Sequence, residues 1–550
     1  MNTGDRYLIL DCYVDEPACL GVPPFVAPYP RYVFGALRDA GVDAGRIDYL
    51  TIDDLRDRDF SLPERYAMAF VIGGAVVPGK YLGQRIGTVT EIASIIDGNG
   101  KQRFAVGGLV SRMLGGRAGG NAIIIDHDIE TYASTLVRGN PVDAARTTDE
   151  TARWAVAGAP VVWRHPGHPD LICEIESYRG CPRLEHCSFC SEFLHEGVSF
   201  RDESDILDEI DSLIDAGITR FRIGSQPDIL QYGSSLDDYR MGFPRPSPSR
   251  VASLFGKLGE RVRSGRIAVL NVDNGNPGTL VHFPDESAEI LNAIAESVTP
   301  GDTLAMGIES FDDSVRTVNN LKVTAGEAIA AVELVNEIGG RRVRGIPVIL
   351  PGVNLIHGLP GETEDTFKKN FQVLENIRDR GLLVKRINIR SLNPFPGTPA
   401  SFARRSIGKG VRKRYEYYRE RIRSEIDHVM LKRIYPTGTV LEKLRVEETR
   451  DGYSYGRQIA SYPITAKIPV ELERGLFVDG AVVSHRERSL SVLPVPIDVN
   501  ALPHRALKFL PGVGTRGADR LVLIRPLEDV HSLGEAFPGL PEELVALMKT

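Results

Sequence analysis

Short apolar runs alternate along much of the chain with segments whose apolar positions recur every three or four residues, the pattern of a strand followed by a helix. In the first part, RYLILD (6–11), AGRIDYLTI (44–52), MAFVIGG (68–74) and RFAVGG (103–108) read as buried strands. YPRYVFGALRDAG (29–41) and GTVTEIASIID (87–97) have helical spacing, and the first ends on a glycine stop. This predicts a parallel α/β sheet over residues 1–160. Gly73, Gly74, Gly107 and Gly108 fall at strand ends. They are either the ligand-binding lip of an open sheet or simple tight turns.

A second series fills residues 161–403. Its strands are RFRIG, IAVLNVD, TLAMGIES, GIPVILPGVNLIHGLPG and RINIRSLNPF; between them lie helices such as ILDEIDSLIDAG and EDTFKKNFQVLENIRDRG. The repeat predicts a partial barrel whose functional groups gather at the carboxyl ends of its strands. Residues 404–433 interleave Arg and Lys with Tyr415, Tyr417 and Tyr418 and read as a solvated linker helix. Short strands separated by turns predict a small β-barrel over 434–492, and residues 493–550 return to helices. With the central barrel ending near residue 400, everything beyond 433 is expected to be separable from it.

Composition narrows the class only a little. The 550 residues carry 66 Lys+Arg against 73 Asp+Glu, a mild acidic excess that leaves a nucleic-acid partner open. The opening MNTGDRYLILDCYV lacks a basic segment followed by a long apolar one, and no run is long enough to span a bilayer. A cytoplasmic protein without a membrane partner is expected.

Three of the six cysteines fall in YRGCPRLEHCSFCSE (178–192). Cys181, Cys187 and Cys190 are separated by five residues and then two. Three thiolates leave one iron of a [4Fe-4S] cube free to bind a further ligand. The alternative is zinc completed by His186, His195 or Cys173. No second cysteine pair of the kind zinc knuckles use is present, so the spacing favours the cluster.

The loop follows the strand-like LICEIESYRG, and Phe189 directly precedes the last cysteine. With the downstream repeat, these residues resemble the radical S-adenosylmethionine (SAM) superfamily, although the first cysteine gap is five rather than the usual three. The resemblance implies a central (β/α)6 barrel in an α/β chain. It implies a [4Fe-4S] cluster on the three cysteines, with SAM bound at its open iron beside Phe189. It also implies reductive cleavage of SAM to a 5′-deoxyadenosyl radical, fed by an electron donor such as flavodoxin or ferredoxin. Further matches follow in order. RIGSQPD offers Gly224, Ser225 and Gln226 for the SAM amino group. NVDNGNPG offers Asp273 and GIES offers Glu309, though structural carboxylates are nearly as good a reading of both. GLPGE offers Gly358 and Gly361 as a turn on the adenine side.

The ends of the chain bear on substrate. LPGVG followed by TRGADRLV resembles a helix-hairpin-helix motif, in which Gly512 and Gly514 would admit a phosphate to backbone amides while Arg516 and Arg520 contact the backbone of a nucleic acid. A hairpin used only for packing is the alternative. The segment 434–492 is similar to the TRAM-type β-barrel of tRNA methylthiotransferases, and the whole layout resembles a group of radical SAM proteins with a carboxy-terminal helix-hairpin-helix. RNA, in particular tRNA, is therefore the expected partner. Only Cys12 and Cys19 lie in the amino-terminal domain, too few for a second three-thiolate cluster. The Rossmann-like amino-terminal domain also leaves cobalamin open, although DYLTIDDL lacks the histidine of the usual cobalamin motif. A small-molecule or peptide substrate, or a structural or redox-sensing cluster on a nucleic-acid-binding protein, are the other readings.

Overall fold

A computed structural model describes residues 5–75, 84–115, 119–195, 197–403, 409–529 and 531–549. The amino-terminal sheet is entirely parallel, in the order Ile47–Thr51, Tyr7–Asp15, Met68–Ala75, Phe104–Gly107, Ala122–Ile124. This is a doubly wound sheet whose topological switch lies between Tyr7–Asp15 and Met68–Ala75. The glycines at its strand ends are tight-packing positions: a Cβ at Gly74 would meet Glu16, one at Gly107 would meet Ile129, and one at Gly108 would meet the Gly73 carbonyl. Helices Pro28–Asp39 and Thr148–Gly158 cover one face. The second starts on Thr147, whose hydroxyl accepts from the Glu150 N–H in a capping box.

The central barrel has six parallel strands in two sheets. Val269–Val272, Arg220–Gly224 and Ile172–Glu176 form one; Asp302–Glu309, Ile349–His357 and Arg386–Ser391 form the other. At the seam a side chain replaces the backbone ladder. The buried Asp302 carboxylate accepts from the N–H groups of Val272 and Thr303, each at 2.8 Å. The apolar sides of these strands pack beneath the surrounding helices, which leaves a polar lumen lined by Arg222, Asp273, Asn354, Arg386 and Asn388.

Three features depart from the expected modular layout. Phe25–Val26, from the amino-terminal region, pairs in parallel with Ile172–Cys173 and extends the barrel sheet. The basic helix is not solvated throughout: Tyr418 is buried, and Tyr415 stacks on His357 with ring centroids 4.1 Å apart. The segment runs as helix Lys409–Arg421, a wider turn Ile422–Asp427 and helix His428–Ile434 along the barrel.

The third departure concerns the carboxy-terminal part. Val440–Arg450, Tyr453–Arg457, Thr465–Ile468, Ser489–Pro494 and Phe477–His485 close into a five-stranded barrel. It is not separable, because the turn between Arg457 and Thr465 inserts into the central lumen. There Ile459 packs with Phe25 and Ile172, and the Ser461 N–H donates to Asn271 Oδ1 at 2.8 Å. The final helices pack on the outer side of this small barrel. No helix among the described residues is long and apolar enough to cross a membrane.

Candidate active site

The first barrel strand delivers the cysteine loop at its carboxyl end, as strand-end chemistry requires. The pairing of Tyr178–Arg179 with Ser199–Phe200 holds the base of the loop. Within it the Cys190 N–H donates to the Cys187 carbonyl at 3.2 Å. Ser188 is tied to Asn319 twice, backbone to backbone at 3.0 Å and hydroxyl to Oδ1 at 2.7 Å. These bonds set the loop so that Cys181, Cys187 and Cys190 all line one cavity.

The surroundings suit three thiolates. Arg183 donates to Cys187 Sγ at 3.3 Å. Lys322 is half-buried, donates to the Gly307 carbonyl at 2.8 Å and lies 3.9 Å from Glu309. Burial would lower its pKa, but the neighbouring Cys187 and Glu309 hold it above the ordinary lysine value. Burial also pushes the Cys181 thiol up to about 11 and the Cys190 thiol well above its usual range. A cation that displaces those protons relieves the cost of charging them. Two of the three side chains that could complete a zinc site are engaged elsewhere. Cys173 faces the core beneath the helices and His186 is turned to the Cys181 carbonyl at 3.3 Å. Among the described residues no three His, Cys, Asp or Glu side chains, the three cysteines included, stand close enough to hold a metal ion.

Phe189 packs with Val315, Leu321 and Leu359 and borders the cavity. Leu359 belongs to the GLPGE turn, which takes φ of 92° at Gly358 and 85° at Gly361. Glu362 fixes that turn by accepting from the Gly358 N–H at 3.0 Å and pairing with His357 at 2.7 Å. The turn braces the cysteine loop from behind, since Asn319 Nδ2 also donates to the Pro360 carbonyl at 2.8 Å. Glu309 ends the fourth strand and faces the cavity. Burial pushes its carboxyl up to about 7, against the pull of Lys322 and Arg390.

Gly224, Ser225 and Gln226 do other work than their positions in the sequence imply. A Cβ on Gly224 would lie 1.9 Å from Glu174 Oε1, and the Ser225 N–H donates to that oxygen at 3.1 Å. The Gln226 amide is fully enclosed and spent internally: it donates to the carbonyls of Ile223 (3.1 Å) and Asp273 (3.3 Å) and accepts from the Ser177 hydroxyl. None of the three borders the cavity, whereas Asp273 does. Its carboxylate is ion-paired with the buried Arg222 and accepts from the Tyr462 hydroxyl at 3.1 Å.

In the tail, Gly512 has φ of 78°, and a Cβ there would lie 2.9 Å from the Gly539 backbone. The two Pro-Gly turns, Pro511–Gly512 and Pro538–Gly539, pack against each other, so Gly512 serves packing. Gly514 is open, and Arg516 and Arg520 are exposed on helix Gly514–Ile524.

Sequence reasoning missed Arg183, Lys322, Arg222 and Tyr462. Arg183 stands in the loop itself, two residues after Cys181, and was legible there. The other three are ordinary residues until the fold gathers them. It also missed a group of acids beside the cysteines. Glu192 is pushed up to about 8 by burial and by Glu16 and Glu176, and Glu16 up to about 7 chiefly by burial. The cavity these groups share is about 1560 Å³ and runs from the switch point of the amino-terminal sheet, past the thiols, through the lumen to the small barrel. Ordinary small-ligand pockets hold roughly 300–1,000 Å³, so this one has room for a cofactor and a further molecule.

Residues 175–374 match the radical SAM superfamily. The chain is 39% identical over 513 residues to an uncharacterized protein of Methanocaldococcus jannaschii, covering 88% of this chain and 92% of that one. It is 27% identical over 228 residues to the tRNA-2-methylthio-N(6)-dimethylallyladenosine synthase of Mycolicibacterium gilvum, covering 41% and 39%. Among solved structures it resembles the radical SAM methyltransferase TsrM from Kitasatospora setae, solved with cobalamin and a [4Fe-4S] cluster, with TM-score 0.49, 16% identity and 73% and 77% coverage. The chain belongs to the radical SAM superfamily, and it is an enzyme of that class.

Proposed function

We propose that Cys181, Cys187 and Cys190 hold the [4Fe-4S] cluster and that the enzyme acts on a compact polar substrate enclosed in the barrel lumen. When bound, the cluster and SAM supply one-electron reductive cleavage of the sulfonium, with a small redox protein such as flavodoxin or ferredoxin as donor. The chain's own part is to bind and shield. Arg183 and Lys322 offset negative charge at the cysteine loop, Phe189 gives that loop an apolar wall, and Glu309 offers a carboxyl to the SAM ribose or amino group. The observation that carries the reading is the single cavity joining the thiols to a lumen closed by another domain's loop. Anaerobic reconstitution should load one four-iron cluster. Cys181→Ala, Cys187→Ala or Cys190→Ala should each abolish it, and dithionite should then drive 5′-deoxyadenosine formation by the native chain alone. Stoichiometric zinc without iron would overturn the assignment.

The amino-terminal switch point opens on the same cavity, where doubly wound sheets take cofactors. We place cobalamin there as a second cofactor. A visible-spectrum titration with hydroxocobalamin tests it, and an unchanged spectrum removes it. RNA, in particular tRNA, is the second substrate reading, favoured by the exposed Arg516 and Arg520 beside the open Gly514. Phosphate contacts make such binding fall steeply with salt. Arg516→Ala in the full chain should weaken it by about 1 kcal/mol, and weak, salt-insensitive binding would exclude RNA.

A further inference from the structure

The turn between Arg457 and Thr465 leaves its own β-barrel to line the lumen. Tyr462 sits there with φ of 47°, a conformation that a bulky side chain holds only when its surroundings fix it. Its hydroxyl bonds Asp273, and its ring lies between the guanidinium groups of Arg222 (5.9 Å) and Arg386 (5.3 Å). Arg386 opens the sixth strand and pairs level with Gly352, midway along the fifth strand. Its Nε donates to Asn388 Oδ1 at 2.6 Å, and Asn388 in turn donates to Asn354 at 2.9 Å.

The cavity continues past Tyr462 to Arg423, Arg488 and Asp427. Asp427 is the carboxyl these arginines surround, with Arg488 Nε 3.7 Å away. Burial pushes it up to about 7, even with Arg488, Arg386 and Arg423 opposing that shift; Glu487 is the other acid in range. The nearby Glu447 is taken by Arg457 at 3.0–3.2 Å. Arg386 of the barrel, Arg423 of the linking helix and Arg488 of the small β-barrel thus line the same cavity as Asp427 and act on its carboxyl. Guanidinium is suited to oxyanions because two parallel N–H groups match two oxygens.

We propose that Arg386, Arg423 and Arg488, with Tyr462 as the wall beside them, form an oxyanion subsite that holds the carboxylate or phosphate end of the substrate. This deepens the enclosed-substrate reading and rests on it. The small β-barrel is then a specificity element of the active site. The test uses the full-length chain with cluster and SAM bound and inorganic phosphate as the probe, followed by phosphorus NMR line broadening. Arg423→Gln and Arg488→Gln should each weaken phosphate about ten-fold, the equivalent of one charge-assisted hydrogen bond. Arg423→Lys should recover part of the loss, and Arg263→Gln, exposed at the end of helix Pro248–Arg263 and outside the cavity, should change nothing. Iron content and the unfolding midpoint show that each variant has folded. Equal affinity in the native chain and both Gln variants would overturn the subsite, as would a loss produced by Arg263→Gln instead. Phosphate binding that follows this pattern in a chain unable to cleave SAM would support the subsite while defeating the catalytic reading.

Discussion

The amino-terminal sheet and the carboxy-terminal β-barrel both dock on the central barrel, but by opposite means. The sheet docks through buried ion pairs outside the lumen. Arg31 bonds Glu209 at 2.7 Å, Glu209 also accepts from Arg201, and Arg146 grips Glu176 with bonds of 2.6 and 2.7 Å. The β-barrel docks through an apolar seam, in which Leu441, Leu444 and Val482 join the central core, and through an inserted turn whose contacts reach into the lumen. An interface of buried charges tolerates few other arrangements, because each unpaired charge is costly. A turn placed in the lumen can instead alter what the lumen accepts. The difference gives the amino-terminal region a charged clamp on the barrel beside its share of the cavity wall, and gives the small barrel a turn inside the lumen.

The largest test of this contrast is truncation after residue 433. If the small barrel were an independent appendage, the rest would stay folded. The inserted turn predicts that Ile459 and Tyr462 leave a hole in the lumen, so that cluster loading and cooperative unfolding are lost together. A truncated chain that loads iron normally would break the comparison. Next comes Arg146→Ala, which leaves Glu176 and Glu130 buried without their partner and should cost about 3–5 kcal/mol in denaturant unfolding. A cost near that of an exposed pair would mean that the amino-terminal interface is loose.

The amino-terminal sheet should also show a pH signature that the small barrel lacks. Asp11 is buried, accepts from the Tyr49 hydroxyl at 2.7 Å, and is pushed from 3.8 to about 6 by burial. An acid held above its unfolded value keeps its proton longer when folded. Its stabilising effect is therefore full below about 4 and is lost as pH rises to about 6, on the order of 2–3 kcal/mol in all. Asp11→Asn should flatten that part of the stability profile; an identical profile in both proteins would show that Asp11 does not set it. The smallest effect belongs to Tyr462→Phe, which removes one hydrogen bond to Asp273 and should cost about 1 kcal/mol. A much larger loss would mean that the hydroxyl anchors the whole turn.

Much of this molecule was legible in its sequence. Apolar period and glycine stops marked Tyr7–Asp15, Met68–Ala75 and Pro28–Asp39, because a strand buried on both faces and an amphipathic helix leave different periods. Ala122–Ile124, three residues long, gave no such signal. The cysteine spacing marked the loop proposed to hold the cluster, since residues close together in sequence need only a local turn to line one cavity. Gln226 misled because its segment was read as a binding turn, and only the packed strands show that its amide is already satisfied by Ser177, Ile223 and Asp273. Gly512 misled likewise, its backbone being approached by Gly539.

The sequence by itself therefore determined the elements, the order of the α/β regions and the three thiols, all of which rest on short-range pattern. Tertiary structure alone decided that Phe25–Val26 joins the barrel, that Lys322 stands beside the thiols, and that Tyr462 enters the lumen almost 190 residues from Asp273. Those pairings join residues far apart in the chain, and they are selected by which buried charges and hydrogen bonds can be satisfied together, a condition that no local period records.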